Sequence, residues 1–315
     1  MPTTVPPRIV ILGAGSIGLS FSAAFTDAGA DVTLCEPDSA CRDAAPGGVS
    51  FQRDAMQLAG LARELDGRLC VVGTAQDQIA NAHLIIECGP ENLQVKRQIF
   101  SDLLTMAGPQ TVLATASSAI PASQIVPGAA DQARCIVAHP VNPPAVLRVL
   151  ELVPAPGTSA VIMSDAELLF AYAGFQTVRL SREIEGFVLN RLQGAVLREA
   201  YRLVDEGVID VAGVETVMRL GLGPRWALSG PFETVDLNTP GGIAAHAARM
   251  GPAYARMGRE RGETVDWHDA LVAHVASARE AAVPAEKRPD RVAWRARAVA
   301  RLVAARDSLI DEPHD

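Results

Sequence analysis

A histidine and a glutamate on successive β-rich runs are the side chains in this sequence best suited to moving a proton. His139 ends the run CIVAH, and Glu151 lies within the next run, VLELV. If the two runs form neighbouring strands, a neutral imidazole paired with a carboxylate is a general base for the proton of an alcohol. The carboxylate would fix the tautomer of the ring and stabilise the imidazolium that forms. The spacing alone equally allows a histidine that caps a turn, with Glu151 on the solvent face of its strand.

A glycine-rich turn near the start of the chain is suited to holding a dinucleotide. It stands between the β-rich run RIVIL and a helical stretch, and it reads Gly13-Ala14-Gly15-Ser16-Ile17-Gly18. The first glycine permits a tight turn, the second lets the backbone approach a pyrophosphate, and the third lets helix and strand pack closely. The N–H groups that open the helix, at Ser16 and Ile17, would face the phosphates. The alternative is a glycine-rich turn without a ligand, which the position between strand and helix disfavours.

An acidic residue after the second β-rich run indicates which dinucleotide binds. Glu36 follows DVTLC, and its carboxylate can accept hydrogen bonds from the diol of an adenosine ribose. The same charge would repel the 2′-phosphate of NADP, so the sequence predicts NAD, although the nearby Arg42 argues the other way. A nicotinamide cofactor together with a His–Glu pair predicts an oxidoreductase that removes a hydride from the carbon bearing the hydroxyl.

Short strands that alternate with helices must position these residues. Helical patterns such as Ser16–Ala28 and Val95–Ala107 separate the β-rich runs. This alternation predicts an α/β fold whose N-terminal part is a Rossmann-type, doubly wound parallel sheet. The predicted strands are Arg8–Leu12, Asp31–Cys35, Leu69–Val72, Leu84–Glu87, Thr111–Thr115, Cys135–His139, Val149–Val153 and Thr177–Leu180.

The pattern changes after Ser181, where apolar residues recur at helical spacing. The predicted helices are Phe187–Glu206, Val211–Leu220, Ala270–Ala282 and Arg291–Arg306. An all-helical C-terminal domain is therefore expected. We place the NAD-binding domain at residues 1–183 and the helical domain at residues 184–315, with the boundary near Ser181–Glu185.

The composition disfavours several classes of function. A formal net charge of −8 repels phosphate backbones, so nucleic acid is not an expected partner. Five cysteines without a C-x-x-C pair argue against a disulfide framework and a metal site, and a reducing cytoplasm is the expected location. The chain shows no signal-peptide pattern and no apolar run long enough to span a bilayer, so no membrane is expected.

Several motifs resemble those of the 3-hydroxyacyl-CoA dehydrogenase superfamily, and in particular the branch that contains L-gulonate 3-dehydrogenase and lambda-crystallin. They are CIVAHPVNPP, GFVLNRLQ and GLGPRWALSGPFETVDLN, and they occur in both predicted domains. The similarity extends from Arg8 to the C-terminal WRARAVARL. It favours His139 and Glu151 as a catalytic pair over the turn-capping alternative.

The resemblance implies roles that spacing alone does not assign. Ser117 matches the serine that hydrogen-bonds the reacting oxygen, although Ser118 stands beside it, and helix capping is the alternative role for Ser117. Asn190 matches the asparagine near the substrate carbonyl; the alternative is a polar residue on a helix face. Glu91 and Lys96 match a pair near the nicotinamide. The resemblance further implies that the helical domain binds substrate and forms a homodimer.

Departures from the CoA-type members favour a small free acid as substrate. The longer helical insertion that helps those members to hold CoA is shortened here, between Glu36 and Leu69. The segment GPRWALSG is longer than its CoA-type equivalent, and its Gly-Pro flanks suggest a shaped loop. It contains Arg225, whose planar guanidinium suits a substrate carboxylate. Asn142, in CIVAHPVNPP, is also assigned to the substrate site.

The sequence thus predicts NAD-dependent oxidation of a small anionic 3-hydroxy acid to the 3-keto acid, L-gulonate being the named example of the branch. One alternative keeps the chemistry and takes a 3-hydroxyacyl-CoA as substrate. Another is an NAD-binding protein without catalysis, recruited as a crystallin; Ser117, His139, Glu151 and Asn190 together argue against it. A relation to 6-phosphogluconate or imine reductases would need a different catalytic residue.

Overall fold

The structure, a computed structural model, describes residues 5–65, 67–228, 230–240, 242–261, 270, 281 and 284–310. Contacts divide the chain into two compact units. The first unit contains residues 1–191 and 296–304, and the second contains residues 192–295 and 305–315. No helix among the described residues is both long and apolar enough to cross a membrane.

An eight-stranded sheet of order β3-β2-β1-β4-β5-β6-β7-β8 forms the centre of the first unit. The reversal of strand order at β1 and β4 is that of a doubly wound sheet. The strands are β1 (Arg8–Leu12), β2 (Asp31–Cys35), β3 (Arg68–Val72), β4 (Leu84–Glu87), β5 (Val112–Thr115), β6 (Cys135–Pro140), β7 (Val149–Pro154) and β8 (Gln176–Arg179). Each of the strands predicted from the sequence is confirmed to within a few residues.

Helices cover both faces of this sheet. On one face, Phe21 and Phe25 of α1 pack with Phe170 of α6 and with Phe175. On the other, Phe100 of α4 packs in a second buried cluster. The helices of the first unit are α1 (Ser16–Asp27), α2 (Ser39–Leu58), α3 (Gln76–Ile79), α4 (Leu93–Met106), α5 (Ala122–Ile125) and α6 (Ala160–Tyr172), with a 3₁₀ turn at Asp131–Arg134.

The direction of β7 departs from the parallel sheet that the sequence predicted. β7 runs antiparallel to β6, whereas the other neighbouring strands pair in parallel. The physical reason is the connection: residues 141–148 are too few for the crossover that a parallel pair needs. The antiparallel register places His139 directly opposite Glu151.

The described part of the chain after β8 is helical, as predicted. Helix α7 begins at Leu189, not at the predicted Phe187, because Gly186 and Phe187 both have positive φ. The helices are α7 (Leu189–Asp205), α8 (Val211–Val217), α9 (Gly223–Leu228), α10 (Pro231–Leu237), α11 (Gly242–Arg261) and α12 (Arg288–Ile310), with a π-helical turn at Met218–Leu222 and a 3₁₀ turn at Ala285–Lys287. The predicted helix Ala270–Ala282 lies almost wholly outside the described residues.

Candidate active site

The carboxyl ends of four parallel strands gather the candidate residues at one edge of the sheet. The fingerprint follows β1, Glu91 follows β4, Ser117 follows β5, and His139 lies near the end of β6. Because β1, β4, β5 and β6 are parallel neighbours, these ends lie side by side. Ligands of doubly wound sheets bind at this edge, where the strand order reverses.

His139 and Glu151 form a buried, hydrogen-bonded pair. The His139 Nδ1 atom lies 2.9 Å from Glu151 Oε2, and the two residues are 5% and 4% exposed. This burial contradicts the alternative that Glu151 lies on the solvent face. Because a carboxylate only accepts hydrogen bonds, the geometry assigns the proton of the neutral ring to Nδ1 and leaves Nε2 as the acceptor.

The second oxygen of Glu151 is held by the start of α7. The backbone N–H groups of Val188 and Leu189 donate to Glu151 Oε1 at 2.8 and 3.1 Å. Burial by itself raises the pKa of Glu151, but the hydrogen bonds from His139, Val188 and Leu189 outweigh it, so the pKa of this carboxyl lies below its ordinary value. Glu151 is therefore held ionised beside the imidazole.

Ser117 is buried, and its hydroxyl is bonded to Glu91. The Ser117 Oγ atom donates to Glu91 Oε1 at 2.5 Å and accepts from the N–H of Ile120 at 2.8 Å. Ser118, its neighbour in the sequence, is exposed. Desolvation raises the pKa of Glu91, but the hydrogen bond from Ser117 and the charge of Lys96 outweigh it, so the pKa of this carboxyl lies below its ordinary value. The turn-capping bond to Ile120 and a bond to a carboxylate thus coexist at Ser117.

Glu87 is a buried charged residue that sequence reasoning did not single out. Its carboxylate accepts from Lys96 Nζ at 2.8 and 3.0 Å, from Thr115 Oγ1 at 2.6 Å and from the Gly89 N–H at 2.7 Å. Lys96 Nζ lies 3.5 Å from Glu91 Oε2. Lys96 therefore joins Glu87 to Glu91 and so to Ser117. The signal was the lysine itself, since Lys96 is one of only two lysines in the chain.

Asn190 connects the start of α7 to the loop after β5. Its Nδ2 donates to the Ser118 carbonyl at 2.8 Å. The preceding residue, Leu189, donates to Glu151. The structure thus joins Ser117, Asn190 and the His139–Glu151 pair through adjacent backbone segments, although no hydrogen bond links Ser117 directly to the pair among those of the described residues.

The glycine-rich turn has the shape that a dinucleotide pyrophosphate requires. Gly13 has a φ of 106°, and a Cβ at Gly18 would lie 2.0 Å from the Gly13 carbonyl oxygen. A Cβ at Gly15 would meet nothing within 4 Å. The N-cap residue of α1 is Gly15, which has no side chain to cap the helix, so the N–H groups at Ser16 and Ile17 stand at a positive helix end that suits a phosphate. The residues present therefore fit the dinucleotide.

Glu36 braces this turn and keeps capacity for a ligand. Its Oε2 accepts from the Ala14 N–H at 2.8 Å, and its Oε1 accepts from the Asp38 N–H at 3.0 Å. A carboxylate can accept about four hydrogen bonds, so lone pairs remain for a ribose diol. Arg42 directs its Nη1 to the carbonyl oxygens of Glu36 and Pro37 at 2.9 and 3.0 Å. That nitrogen is therefore engaged with the main chain.

Asn142 and Arg225, the two residues predicted to contact the substrate alone, are both exposed. Asn142 is exposed in the turn between β6 and β7. Arg225 is exposed on α9, in the second unit. The predicted loop around Arg225 is wrong, because Gly223–Leu228 is helical. α9 continues directly from the π-helical turn Met218–Leu222, and Pro224 lacks the N–H that would donate to the preceding turn.

The fingerprint, the sheet edge and the His–Glu pair define the class of a nicotinamide-dependent dehydrogenase. The family model described as 3-hydroxyacyl-CoA dehydrogenase, NAD binding domain, matches residues 8–184. The model described as 3-hydroxyacyl-CoA dehydrogenase, C-terminal domain, matches residues 186–281. The chain belongs to the 3-hydroxyacyl-CoA dehydrogenase family, an oxidoreductase family whose cofactor is NAD.

Relatives across this family align over most of the chain. A lambda-crystallin homolog from Bos taurus is 35% identical over 98% of this chain and 98% of its own. A 3-hydroxyacyl-CoA dehydrogenase from Gibberella moniliformis is 32% identical over 84% and 81% of the two chains. An L-carnitine dehydrogenase from Streptomyces griseus is 34% identical over 78% and 74%.

The fold also matches a solved structure over nearly its full length. The crystal structure of 5-formyl-3-hydroxy-2-methylpyridine 4-carboxylic acid 5-dehydrogenase, an NAD+ dependent dismutase, has a TM-score of 0.83. The match covers 98% of this chain and 100% of the other, at 24% sequence identity. At that identity the match supports the fold alone.

Proposed function

We propose that this protein oxidises the hydroxyl group beta to the carboxylate of a small free 3-hydroxy acid, with NAD as the hydride acceptor. The observation that carries the proposal is the buried His139–Glu151 pair at the carboxyl end of β6. A histidine held in one tautomer by an ionised carboxylate is a general base. The fingerprint stands at the same edge of the sheet.

The pair assigns the path of the proton. His139 Nε2 takes the proton of the substrate hydroxyl as the C–H bond breaks and the carbon–oxygen double bond forms. The bound nicotinamide supplies the hydride-accepting carbon. His139 becomes an imidazolium, and the Glu151 carboxylate at 2.9 Å stabilises that charge. In the reverse direction the imidazolium returns its proton to the ketone oxygen.

Ser117 and Asn190 are proposed to bind the reacting oxygen and the substrate carbonyl. A hydroxyl carries a single proton, and that of Ser117 is donated to Glu91. For Ser117 to donate to the substrate oxygen, its hydrogen bond to Glu91 must therefore break. Asn190 donates to the Ser118 carbonyl from Nδ2, and its Oδ1 is an acceptor. Glu91 and Lys96 are proposed to line the nicotinamide site.

A free acid is favoured over a CoA ester by the chemistry of a relative and by Arg225. L-carnitine, which names one relative, is a small free 3-hydroxy acid. Arg225 is proposed to bind the carboxylate because its guanidinium can donate two parallel hydrogen bonds. Asn142 is retained as a second proposed substrate contact. The CoA ester is the second candidate, since another relative is named a 3-hydroxyacyl-CoA dehydrogenase.

A substrate panel tests the proposal. The panel contains L-gulonate, L-carnitine, 3-hydroxybutyrate and its CoA thioester, and NADH formation is followed by absorbance. We expect turnover of a free acid with kcat/KM at least about tenfold above that of the thioester, a difference of ~1.4 kcal/mol. A higher kcat/KM for the thioester would instead support a 3-hydroxyacyl-CoA as the substrate. NAD binding without turnover of any member would point to the non-catalytic alternative.

Arg225 variants separate carboxylate binding from a structural role. Arg225→Lys keeps the charge and loses the planar fork, and Arg225→Met loses both. We expect kcat/KM for the best acid to fall in that order, with much less effect on its uncharged methyl ester. Equal losses for acid and ester would remove Arg225 from carboxylate recognition.

A further inference from the structure

The chain enters α7 through a backbone corner that is unfavourable for the residues it contains. Gly186 has a φ of 74° and Phe187 a φ of 50°. Glycine adopts positive φ freely, but a bulky L-residue rarely does. Of the described residues other than glycine, only Glu64 shares this conformation. Such strain persists only where the surroundings over-determine it, and it concentrates at functional sites.

Burial holds Phe187 in this conformation. Phe187 is 0% exposed and belongs to a buried apolar cluster with Val137 of β6, Val153 of β7 and Leu180. Its N–H donates to the Ile184 carbonyl at 3.1 Å, which closes the turn. The apolar burial of the ring therefore compensates for the strained backbone.

The Phe187 ring also packs beside His139. The centroids of the two rings lie 5.5 Å apart, with their planes at 50°. This is a favourable tilted arrangement for aromatic rings. Because both rings are buried, the phenyl ring restricts rotation of the imidazole away from Glu151.

The backbone that follows Phe187 donates hydrogen bonds to Glu151, the other member of the pair. The next two N–H groups, at Val188 and Leu189, both point to Glu151 Oε1. Their direction depends on the φ of Phe187, because an extended residue at that position would turn the chain elsewhere. Phe187 thus acts on His139 through its ring and on Glu151 through its backbone.

We infer that Phe187 is a positioning residue for the reaction. Its ring holds the His139 imidazole in place, and its backbone directs two N–H groups to Glu151. The inference rests on the proposed function of that pair. Its role is geometric: Phe187 neither donates nor accepts a proton, and its side chain has no polar atom. It keeps the imidazole in the Nδ1-protonated tautomer that leaves Nε2 free for the substrate.

Phe187→Leu is the variant that tests this role, because it removes the ring and keeps an apolar side chain. Phe170→Leu is the matched control: Phe170 is also 0% exposed, and its ring contacts are to Phe21, Phe25 and Phe175. Both variants lose a buried ring and should lower Tm. If Phe187→Leu does not fold, Phe187→Met replaces it in the same measurements with the same expected outcomes, because methionine fills irregular space in a core.

The deciding measurement needs no substrate. Proton–nitrogen correlation NMR of the histidine rings at alkaline pH reports the tautomer of each, and His139→Gln assigns the His139 signals among six histidines. We expect a single Nδ1-protonated tautomer in the wild type and in Phe170→Leu, and a mixture of tautomers in Phe187→Leu. A single tautomer in Phe187→Leu would overturn the inference.

Kinetics on the best acid of the panel give the second readout. We expect kcat of Phe187→Leu to fall about tenfold, less than the ~100-fold that a 1 Å misplacement can cost, with NAD affinity unchanged. Phe170→Leu should keep kcat within about twofold. An equal loss of kcat in the two variants would mean that Phe187 acts only as a core residue. His139→Ala, measured alongside, separates the cases: if it turns over normally, the proposed function itself fails.

Discussion

At the scale of single residues, both oxygens of Glu151 and one nitrogen of His139 have hydrogen-bond partners within the described part of the chain. Glu151 gives one oxygen to His139 and the other to two backbone N–H groups. That leaves the imidazole one free nitrogen, Nε2, for a substrate. A buried carboxylate with three donors is held in place, and it holds the ring in turn. The proposed general base is thus the hydrogen-bonded pair with its backbone donors and not the histidine alone.

Removing the imidazole should abolish most of the chemistry. We expect His139→Ala to lower kcat by about 10²–10⁴-fold, the usual range for a lost general base. NAD affinity should change little, because His139 is not among the residues proposed to hold the dinucleotide. His83→Ala is the control, since His83 is exposed at the opposite end of the sheet, where it accepts from the Arg8 N–H. Normal turnover of His139→Ala would exclude His139 as the base.

Replacing Glu151 should produce a stability loss that depends on pH. The folded-state pKa of Glu151 is depressed, so its carboxylate stabilises the fold above the ordinary value of 4.5, and this contribution is lost as pH falls through the lower folded value. Glu151→Gln should therefore unfold more easily at pH 7, by about 1–3 kcal/mol for buried donors left short of a partner. Denaturant titrations from pH 7 towards pH 4 and below should show the difference shrinking.

Glu185→Gln provides the control for that titration. Glu185 is exposed, so its replacement should change the free energy of unfolding little at any pH in the range. A difference for Glu151→Gln that stays constant with pH would mean that packing, and not the charge of Glu151, accounts for the loss.

At the scale of elements, the strands and the fingerprint were predictable because their signals are local. Alternation and apolar runs located every strand, and the glycine spacing located the turn before α1. The start of α7 was not predictable in this way. Apolar periodicity continues through Phe187, but the positive φ there is accompanied by burial in a cluster with residues of β6 and β7. Tertiary packing overrides the local pattern at that point.

The polar contacts of the site were predictable only in part. The His139–Glu151 contact follows once β7 is known to be antiparallel, and the short connection between the strands implies that direction. The rarity of lysine pointed to Lys96, but nothing in the sequence pointed to Glu87 as its partner, because a glutamate at the end of a strand is usually solvated. Its burial depends on Lys96, which reaches it from α4. Local sequence does not indicate which side chains of different elements pair with each other.

Two glycines of the fingerprint turn should respond to alanine in opposite ways. A Cβ at Gly15 meets nothing within 4 Å, so Gly15→Ala should keep its Tm. It should weaken NAD binding at least about tenfold, or ~1.4 kcal/mol, because the methyl group occupies the approach of the pyrophosphate.

Gly18→Ala is the matched variant for stability. Its Cβ would lie 2.0 Å from the Gly13 carbonyl oxygen, so α1 and the turn after β1 must separate. Overpacking of this kind costs about 1–3 kcal/mol, and we expect a Tm lower by several degrees. Calorimetric titration with NAD and thermal unfolding of both variants provide the test. Unchanged NAD affinity in Gly15→Ala would place the pyrophosphate elsewhere.

At the scale of the whole molecule, the second unit exposes large apolar side chains. Phe232 and Leu237 of α10 are 76% and 73% exposed, and Leu220 is 67% exposed. Val161 and Leu168 of the first unit are exposed to a similar extent, 69% and 70%, and singly exposed apolar residues are common on protein surfaces. Most soluble oligomers are symmetric dimers of identical chains. The homodimer implied by the family resemblance therefore stays a prediction, and Phe232 is the exposed residue of α10 chosen to test it.

A charge placed on that surface should separate the copies. We predict that the wild type sediments as a species of twice the chain mass at micromolar concentration, and that Phe232→Glu shifts it towards the monomer, because a carboxylate cannot be buried at an interface without a partner. Val161→Glu is the control, since Val161 is 69% exposed on α6 of the first unit and should tolerate the charge. Analytical ultracentrifugation over a concentration series measures all three proteins. A monomeric wild type would contradict the prediction, and a dimer that survives Phe232→Glu but dissociates in Val161→Glu would move the interface to the first unit.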